Sequence, residues 1–153
     1  MEIKFLDYLH DDCEYIRTKV FVDEQKFKKE IELDDRDNHC YYIIIYENNQ
    51  PVATCRYFEL SDNIYTMGRV AVLAEYRGKG FGKQLVISTE EHIKKLGGKV
   101  ILLSSQMTAQ KFYESLGYIS EGETYFEEHC EHIKMRKILQ ACRLTQSELI
   151  ELN

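Results

Sequence analysis

The amino-acid sequence predicts a mixed α/β domain built on a largely antiparallel sheet, and three observations carry that prediction. Residues 40–47, 52–60 and 64–73 are dense in β-branched and aromatic side chains and are separated by the turn signals NNQP (48–51) and SDN (61–63), so they read as consecutive strands of a meander. A glycine-rich stretch and an amphipathic helical pattern then lead into the apolar run KVILLSS at 99–105. Residues 64–105 therefore form a β-α-β unit, which makes the centre of the sheet partly parallel. Runs at 118–123 and 131–138 add two more strands, paired across a loop.

The remaining elements follow in order. Residues 2–7 alternate apolar and polar at Ile3 and Phe5, a short strand. Asp11 and Asp12 can cap a helix that carries Ile16, Val20 and Phe21 along one face. The acid-rich segment 23–39 reads as a long loop or broken helix, and CYYIIIYE at 40–47 as a well-buried strand. Between about 80 and 96, Phe81, Leu85, Val86, Ile93 and Leu96 fit a helical stripe that Gly97 and Gly98 terminate. Residues 106–117 form a second amphipathic helix, with Ala109, Phe112, Tyr113 and Leu116 on one face and Gly117 as its stop. The domain is expected over 1–138. In the tail 139–153, Thr145-Gln-Ser-Glu148 has the pattern of a capping box, which makes a short terminal helix the expectation.

Composition narrows the function classes. The 153 residues suit one domain, and 44% hydrophobic residues suit a globular one. A net charge of −6 disfavours a nucleic-acid binder and slightly favours small basic partners. No apolar run approaches a membrane span, and the start MEIKFLDYLHDDCEYI has neither the basic nor the apolar region of a leader, so a cytoplasmic protein is expected. The five cysteines are odd in number and include no CxxC pair, which fits reduced thiols.

The sharpest feature is Arg77-Gly78-Lys79-Gly80-Phe81-Gly82-Lys83, set between a strand and a helix. Small residues let backbone amides converge, and the helix start adds unpaired N–H groups and a positive dipole end; together these make a pyrophosphate cradle. Lys79 and Lys83 could meet a further phosphate. The segment is not a Walker A loop, because Arg77 and Gln84 stand where that motif needs glycine and Ser or Thr. Its GxGxG spacing also departs from the dinucleotide fingerprint GxGxxG. The bland alternative is a glycine-rich turn that only joins two elements.

The loop resembles the acyl-CoA-binding motif [RQ]-x-x-G-x-[GA] of the GNAT superfamily of N-acetyltransferases at Arg77, Gly80 and Gly82. The strand Gly68-Arg69-Val70-Ala71-Val72 is similar to the central strand of that family. Gln106-Met-Thr-Ala109-Gln-Lys-Phe112-Tyr113-Glu-Ser-Leu116-Gly117-Tyr118 is similar to its N-x-x-A-x-x-F-Y-x-x-x-G-[FY] segment, with Gln106 where asparagine is usual. The resemblance spans about residues 2–137. The front end, Arg17 to Gln25 with Glu30 and Asp34, and the closing Glu131-His132-Ile133-Lys134-Met135 resemble the ElaA-like branch. The fold implied is a central mixed, mostly antiparallel twisted sheet of six to seven strands flanked by helices.

The resemblance implies acetyl transfer from acetyl-CoA to a primary amine of a small molecule or peptide, by direct transfer in a ternary complex. Backbone groups of Val70, Ala71 and Val72 would pair with the pantetheine arm, and one N–H would polarise the thioester carbonyl. The amides of Gly78, Lys79, Gly80, Phe81, Gly82 and Lys83 would hold the pyrophosphate beside Arg77, and Gln106 would contact the pantetheine arm. Tyr113 is the candidate general acid; a core tyrosine on an amphipathic helix is the bland alternative. Glu24 is the first candidate base, with Glu123, His132 or a water chain as rivals. A non-catalytic acyl-CoA-binding module on the same fold is the competing reading.

Three further expectations concern charge, metal and assembly. The acids Glu30, Glu32, Asp34, Asp35 and Asp37 suit a cationic acceptor, or are simply a solvated loop. Arg17 and Arg69 could pair with these acids or hold an acceptor carboxylate. His129-Cys130-Glu131-His132 is no metal site by pattern, because strand alternation splits the side chains between two faces. An exposed strand near the C-terminus could pair two copies into a homodimer.

Overall fold

The computed structural model describes residues 1–140. Strands β1 (Glu2–Leu6), β2 (Tyr41–Glu47), β3 (Gln50–Ser61), β4 (Ile64–Val72), β5 (Val100–Gln106), β6 (Ile119–Glu127) and β7 (Cys130–Ile138) form one sheet in the order β1-β2-β3-β4-β5-β7-β6. Only β4 and β5 run parallel; the other neighbours are antiparallel. This is the mixed, mostly antiparallel sheet expected, with seven strands.

The dense apolar run of β2 has a simple cause. Ile43 and Ile45 face a core that includes Leu85, Val86 and Ile93 of helix α3 (Phe81–Lys95). Tyr42, Ile44 and Tyr46 face a second core with Cys13 and Ile16 of helix α1 (Asp11–Arg17). A strand covered on both faces has no polar side to alternate with. The hairpin between β2 and β3 turns on Asn48 and Asn49, both with positive φ, so Gln50 and Pro51 already belong to β3.

The connections differ from expectation at the start of α1 and over 106–117. The N-cap of α1 is His10, whose Nδ1 accepts from the Asp12 amide at 2.9 Å; the Asp12 carboxylate instead accepts from the Tyr46 hydroxyl. Of the two readings of 23–39, a long loop or a broken helix, the structure has the second: a helical turn α2 (Lys29–Glu32) and a 3-10 turn (Asp35–Asn38), with α1 running on into a π-helical segment (Thr18–Glu24). The helix expected over 106–117 is a 3-10 turn (Met107–Ala109) followed by helix α4 (Gln110–Ser115). The terminal helix expected from Thr145 lies outside the described residues. Leu139, just past β7, is buried and its amide donates to Lys99 O at 2.8 Å.

The sheet is not continuous across its parallel pair. β4 and β5 share the pairs Ile64↔Val100 to Met67↔Leu103 and then part. Beyond that point residues 104–106 stay with β7, while β4 stays with β3. A β-bulge accompanies the split: Arg56 pairs with Gly68 and Thr54 with Ala71, so Arg69 and Val70 together oppose Cys55, with Arg69 at φ 50°.

Gly98 is the tightest glycine. A Cβ there would lie 2.3 Å from Ile93 Cγ2 and 2.8 Å from Tyr65 Cδ1, whereas Gly68 has open space. Gly98→Ala should cost about 1–3 kcal/mol and Gly68→Ala well under 1 kcal/mol in urea denaturation. Equal stabilities would contradict this packing.

Candidate functional site

The parted strands open a cleft of about 920 Å³. It lies at the carboxyl ends of two neighbouring parallel strands, the usual place for a ligand in such a sheet. One wall is the 68–72 edge of β4, whose N–H and C=O groups on the β5 side lose their strand partner when β5 departs. The floor continues into the glycine loop and the start of α3. Gly78 and Gly80 have φ 75° and 88°, values that penalise a side chain. Gly80 is the N-cap of α3, so the amides of Phe81, Gly82 and Lys83 precede the first intrahelical acceptor; the ladder begins with the Gln84 amide donating to Gly80 O at 3.0 Å. Gly82 packs under Phe112 and Val72. These groups can hold an elongated molecule with a strand-like polar arm and an anionic end.

Val70, Ala71, Val72, Arg77, Gly78, Gly80, Phe81, Gly82, Lys83, Gln106 and Tyr113 all line the cleft. Lys79 does not; its ammonium sits 5.6 Å from the centre of the Tyr76 ring. Tyr113 is 7% exposed and packs edge-on against Phe112 and Tyr118. Burial raises its phenol above the ordinary 10.0, so it stays protonated at neutral pH.

Arg77 and Glu24 take a different form from the one expected. Arg77 does not point its charge freely at a phosphate. Its Nη1 and Nη2 donate to both Glu24 oxygens at 2.6 and 2.7 Å, and its Nε donates to Val72 O at 3.0 Å. Glu24 is thereby occupied, does not line the cleft, and is held below the ordinary carboxylate value by the Arg77 hydrogen bonds. A carboxylate so committed is a poor base. Of the rival bases, Glu123 lies on exposed β6 away from the cleft, whereas His132 lines it. His132 is 5% exposed, with Nδ1 2.9 Å from Cys130 O and Nε2 3.5 Å from Glu127 Oε2.

The acidic segment is also spoken for. Arg17, 1% exposed, donates to Glu32 Oε1 at 2.5 Å and to Asp37 at 2.8 and 3.1 Å. Arg56 bridges Asp34 and Asp37 at 2.7 to 3.0 Å, and Tyr42 donates to Asp37 Oδ1 at 2.7 Å. Arg69, aimed by the bulge, donates to Glu32 O and Ile31 O. Three of the five acids invoked for a cationic acceptor are thus already neutralised. Glu30 and Asp35, the other two, do not line the cleft. Burial opposes both charges of the central pair, but the mutual hydrogen bonds outweigh it: Arg17 is pushed up and Asp37 well below 3.8.

A strap spans the cleft mouth. Gln106, expected against the pantetheine arm, donates its amide to Gln25 Oε1 at 2.7 Å; His129 Nε2 lies 2.6 Å from Gln25 O, and Phe27 packs on the His129 ring at 4.8 Å. Sequence reading missed this strap because its partners are far apart in the chain. Among the described residues no group of His, Cys, Asp and Glu could hold a metal ion, and no helix is long and apolar enough to cross a membrane.

A parted β4/β5 pair that runs into a glycine-capped helix is the layout of an acyl-transfer fold, and the comparisons agree. The family model for the acetyltransferase (GNAT) domain matches residues 7–139, and the chain belongs to this family. It is 34% identical to the Bacillus subtilis protein YyaT over 125 residues, 80% of this chain and 84% of that one. It is 30% identical to the uncharacterized N-acetyltransferase YjcF of the same organism, over 82% and 90% of the two chains. Among solved structures, Escherichia coli ElaA superposes with a TM-score of 0.78 at 29% identity, covering 89% of this chain and 98% of that one. An aminoglycoside 6'-N-acetyltransferase complexed with coenzyme A, 15% identical, shares the fold with a TM-score of 0.68 over 90% of this chain and 97% of that one.

Two expectations follow from the ion cluster. Arg17→Ala leaves the Glu32 carboxylate without its close donor and removes two of the hydrogen bonds of Asp37 in the interior, and should destabilise the fold by about 3–5 kcal/mol in urea denaturation. A loss under 1 kcal/mol would contradict the pairing. The pH dependence follows from the sign of the Asp37 shift. Its folded value is depressed, so its contribution is complete above about pH 5 and is lost as pH falls below that. Asp37→Asn should therefore flatten the acid limb of stability against pH between about pH 5 and 2; an unchanged slope would contradict it.

Proposed function

We propose that the protein is an N-acetyltransferase that uses acetyl-CoA and acetylates a primary amine by direct transfer in a ternary complex. The observation that carries this reading is the 68–72 edge of β4, free of β5 and running into the α3 N-terminus, a strand-like track that ends in an anion cradle. Bound acetyl-CoA would supply an acetyl group activated as a thioester. The fold it shares with a coenzyme A complex supports that choice.

Each part of the chain then has a task. The β4 edge orients the arm and offers an N–H where negative charge develops on the carbonyl oxygen. The amides of 80–83 and Lys83 bind phosphate oxygens. Arg77 acts by clamping Glu24 and the end of β4, which holds the loop in shape, and the Glu24 carboxylate serves that clamp rather than proton transfer. Tyr113, kept protonated by burial, donates a hydrogen bond to the departing sulfur, which takes up a proton as the C–S bond breaks. Gln106 is free to turn to the cofactor once Gln25 yields it. Among the base candidates read from the sequence, His132 is the one whose side chain lines the cleft.

Acetyl-CoA at a hundred times its dissociation constant should raise the melting temperature by roughly 5–10 °C. No rise at any concentration would sink the reading. Tyr113→Phe should lower kcat by about 100-fold, read by thiol release, with acetyl-CoA binding little changed. Equal turnover would remove Tyr113 from this role. Thiol release with an amine panel also separates an enzyme from a module that only binds the cofactor.

A further inference from the structure

The acceptor end of the cleft contains an unusual atom. The Glu32 side chain is 2% exposed, and its Oε1 accepts from Arg17 Nε. Its Oε2 is buried without a hydrogen-bond partner, alone in that condition among the described residues, and Glu32 lines the cleft. A carboxylate oxygen withdrawn from water and left without a donor is costly, so such an atom marks a place where a donor arrives from outside. A primary amine or ammonium has the donors it lacks.

The guanidinium groups beside it add a second requirement. Arg36, Arg56 and Arg69 also line this end of the cleft. Arg56 is saturated by Asp34 and Asp37. Arg69 donates to the carbonyls of Ile31 and Glu32 and to Asp34 Oδ2 at 3.4 Å, and pairs with Glu32 Oε1 at 3.5 Å, so its ion pairs are long ones. Arg36 rests over the Phe58 ring at 5.8 Å and joins no ion pair among the described residues. One cation without an anionic partner, Arg36, and one held only by long ion pairs, Arg69, thus share the end of the cleft with an acceptor atom short of a donor. Burial, with the neighbouring Arg56 and Arg17, depresses the Arg69 pKa and outweighs the opposite pull of Glu32 and Asp34.

We propose that Glu32, Arg36 and Arg69 form the acceptor subsite, and that the acceptor is a short aminocarboxylate: its amine donates to Glu32 Oε2 and its carboxylate meets the guanidinium groups. This inference rests on the proposed acetyl transfer for its meaning as an acceptor site, but not for the site itself. The spacing sets the size of the ligand. Arg69 pairs with Glu32 at 3.5 Å through Oε1, so the carboxylate that carries the unpartnered Oε2 lies directly beside the guanidinium. Amine and acid must therefore be separated by only a few bonds to reach both. A polyamine offers no anion to Arg36 and Arg69 and would meet their like charge. From the sequence, the acids of 30–37 suit a cationic acceptor or a solvated loop, while Arg17 and Arg69 could pair with them or hold an acceptor carboxylate.

The test is calorimetric titration of the full chain in saturating coenzyme A, which binds without reacting. The titrants are the protein amino acids and β-alanine, each beside the amine that lacks its carboxylate and the acid that lacks its amine, with spermidine as the polyamine. At least one aminocarboxylate should bind tenfold or more tighter than both of its analogues and than spermidine. Glu32→Gln, which keeps an oxygen for Arg17, should weaken that ligand at least tenfold, and Arg36→Ala at least fivefold. The coenzyme A-induced rise in melting temperature reports that each variant is folded; should Glu32→Gln not fold, the exposed Arg36→Ala decides. Tighter binding of a carboxylate-free amine, no binding of any aminocarboxylate, or an unchanged affinity in Arg36→Ala would overturn the subsite. The proposed reaction fails separately. Aminocarboxylate binding without thiol release from acetyl-CoA would keep the subsite and sink the transfer. Thiol release with plain amines alone would keep the transfer and sink the subsite.

Discussion

Two parallel strands that share four residue pairs and then separate leave backbone groups that the sheet no longer satisfies. Buried amides and carbonyls must find partners, and the free edge of β4 is where this chain withholds them. The rest of the structure arranges itself around that withheld edge. The bulge at Arg69 and Val70 bends β4 away from β5 and turns one arginine toward the acceptor end. Helix α3, delivered by the connection between the same two strands, brings its amide-rich start to the foot of the gap. The two cores on either side of β2 and β3 hold the sheet rigid while its centre stays open.

Charge follows the same division. The chain is acidic as a whole, yet the anion cradle needs no large basic surface, because backbone amides and a helix terminus supply most of the positive potential locally. The acids that dominate the front of the chain are bound into an ion cluster with Arg17, Arg56 and Arg69. That cluster fixes α2 and the 3-10 turn against β3 and β4 and forms one wall of the cleft. Removing one member of a buried set like this costs far more than an exposed pair would, because the partner charge remains inside.

Much of the fold is legible in the sequence because it is local. The β2-β3-β4 meander follows from apolar runs and turn residues, and the parallel step from the glycine-to-helix pattern at 78–96. The cofactor side of the cleft is legible for the same reason: Gly78, Gly80 and Gly82 occupy one short loop, and Tyr113 one helical face. The acceptor side is not. Arg17 meets Glu32 and Asp37 across 15 and 20 residues, Arg77 meets Glu24 across 53, and Gln106 meets Gln25 across 81. No periodicity or spacing rule announces such pairs. Glu24 therefore reads as a free carboxylate until Arg77 is seen on it, and 30–37 reads as an acidic surface until its arginines are counted.

The short turns over 29–38 have the same origin. The carbonyls of Ile31, Glu32 and Asp37 accept from Arg69, Arg17 and Tyr42 rather than continuing a helix, so composition points only to a long loop or broken helix. The withheld β4 edge and the α3 start can be probed together by backbone amide exchange with and without coenzyme A. If the parted strands bind the cofactor, amides of 70–72 and 80–83 gain protection while β1, β2 and β6 do not change. Protection elsewhere, with none at these amides, would contradict the account at its centre.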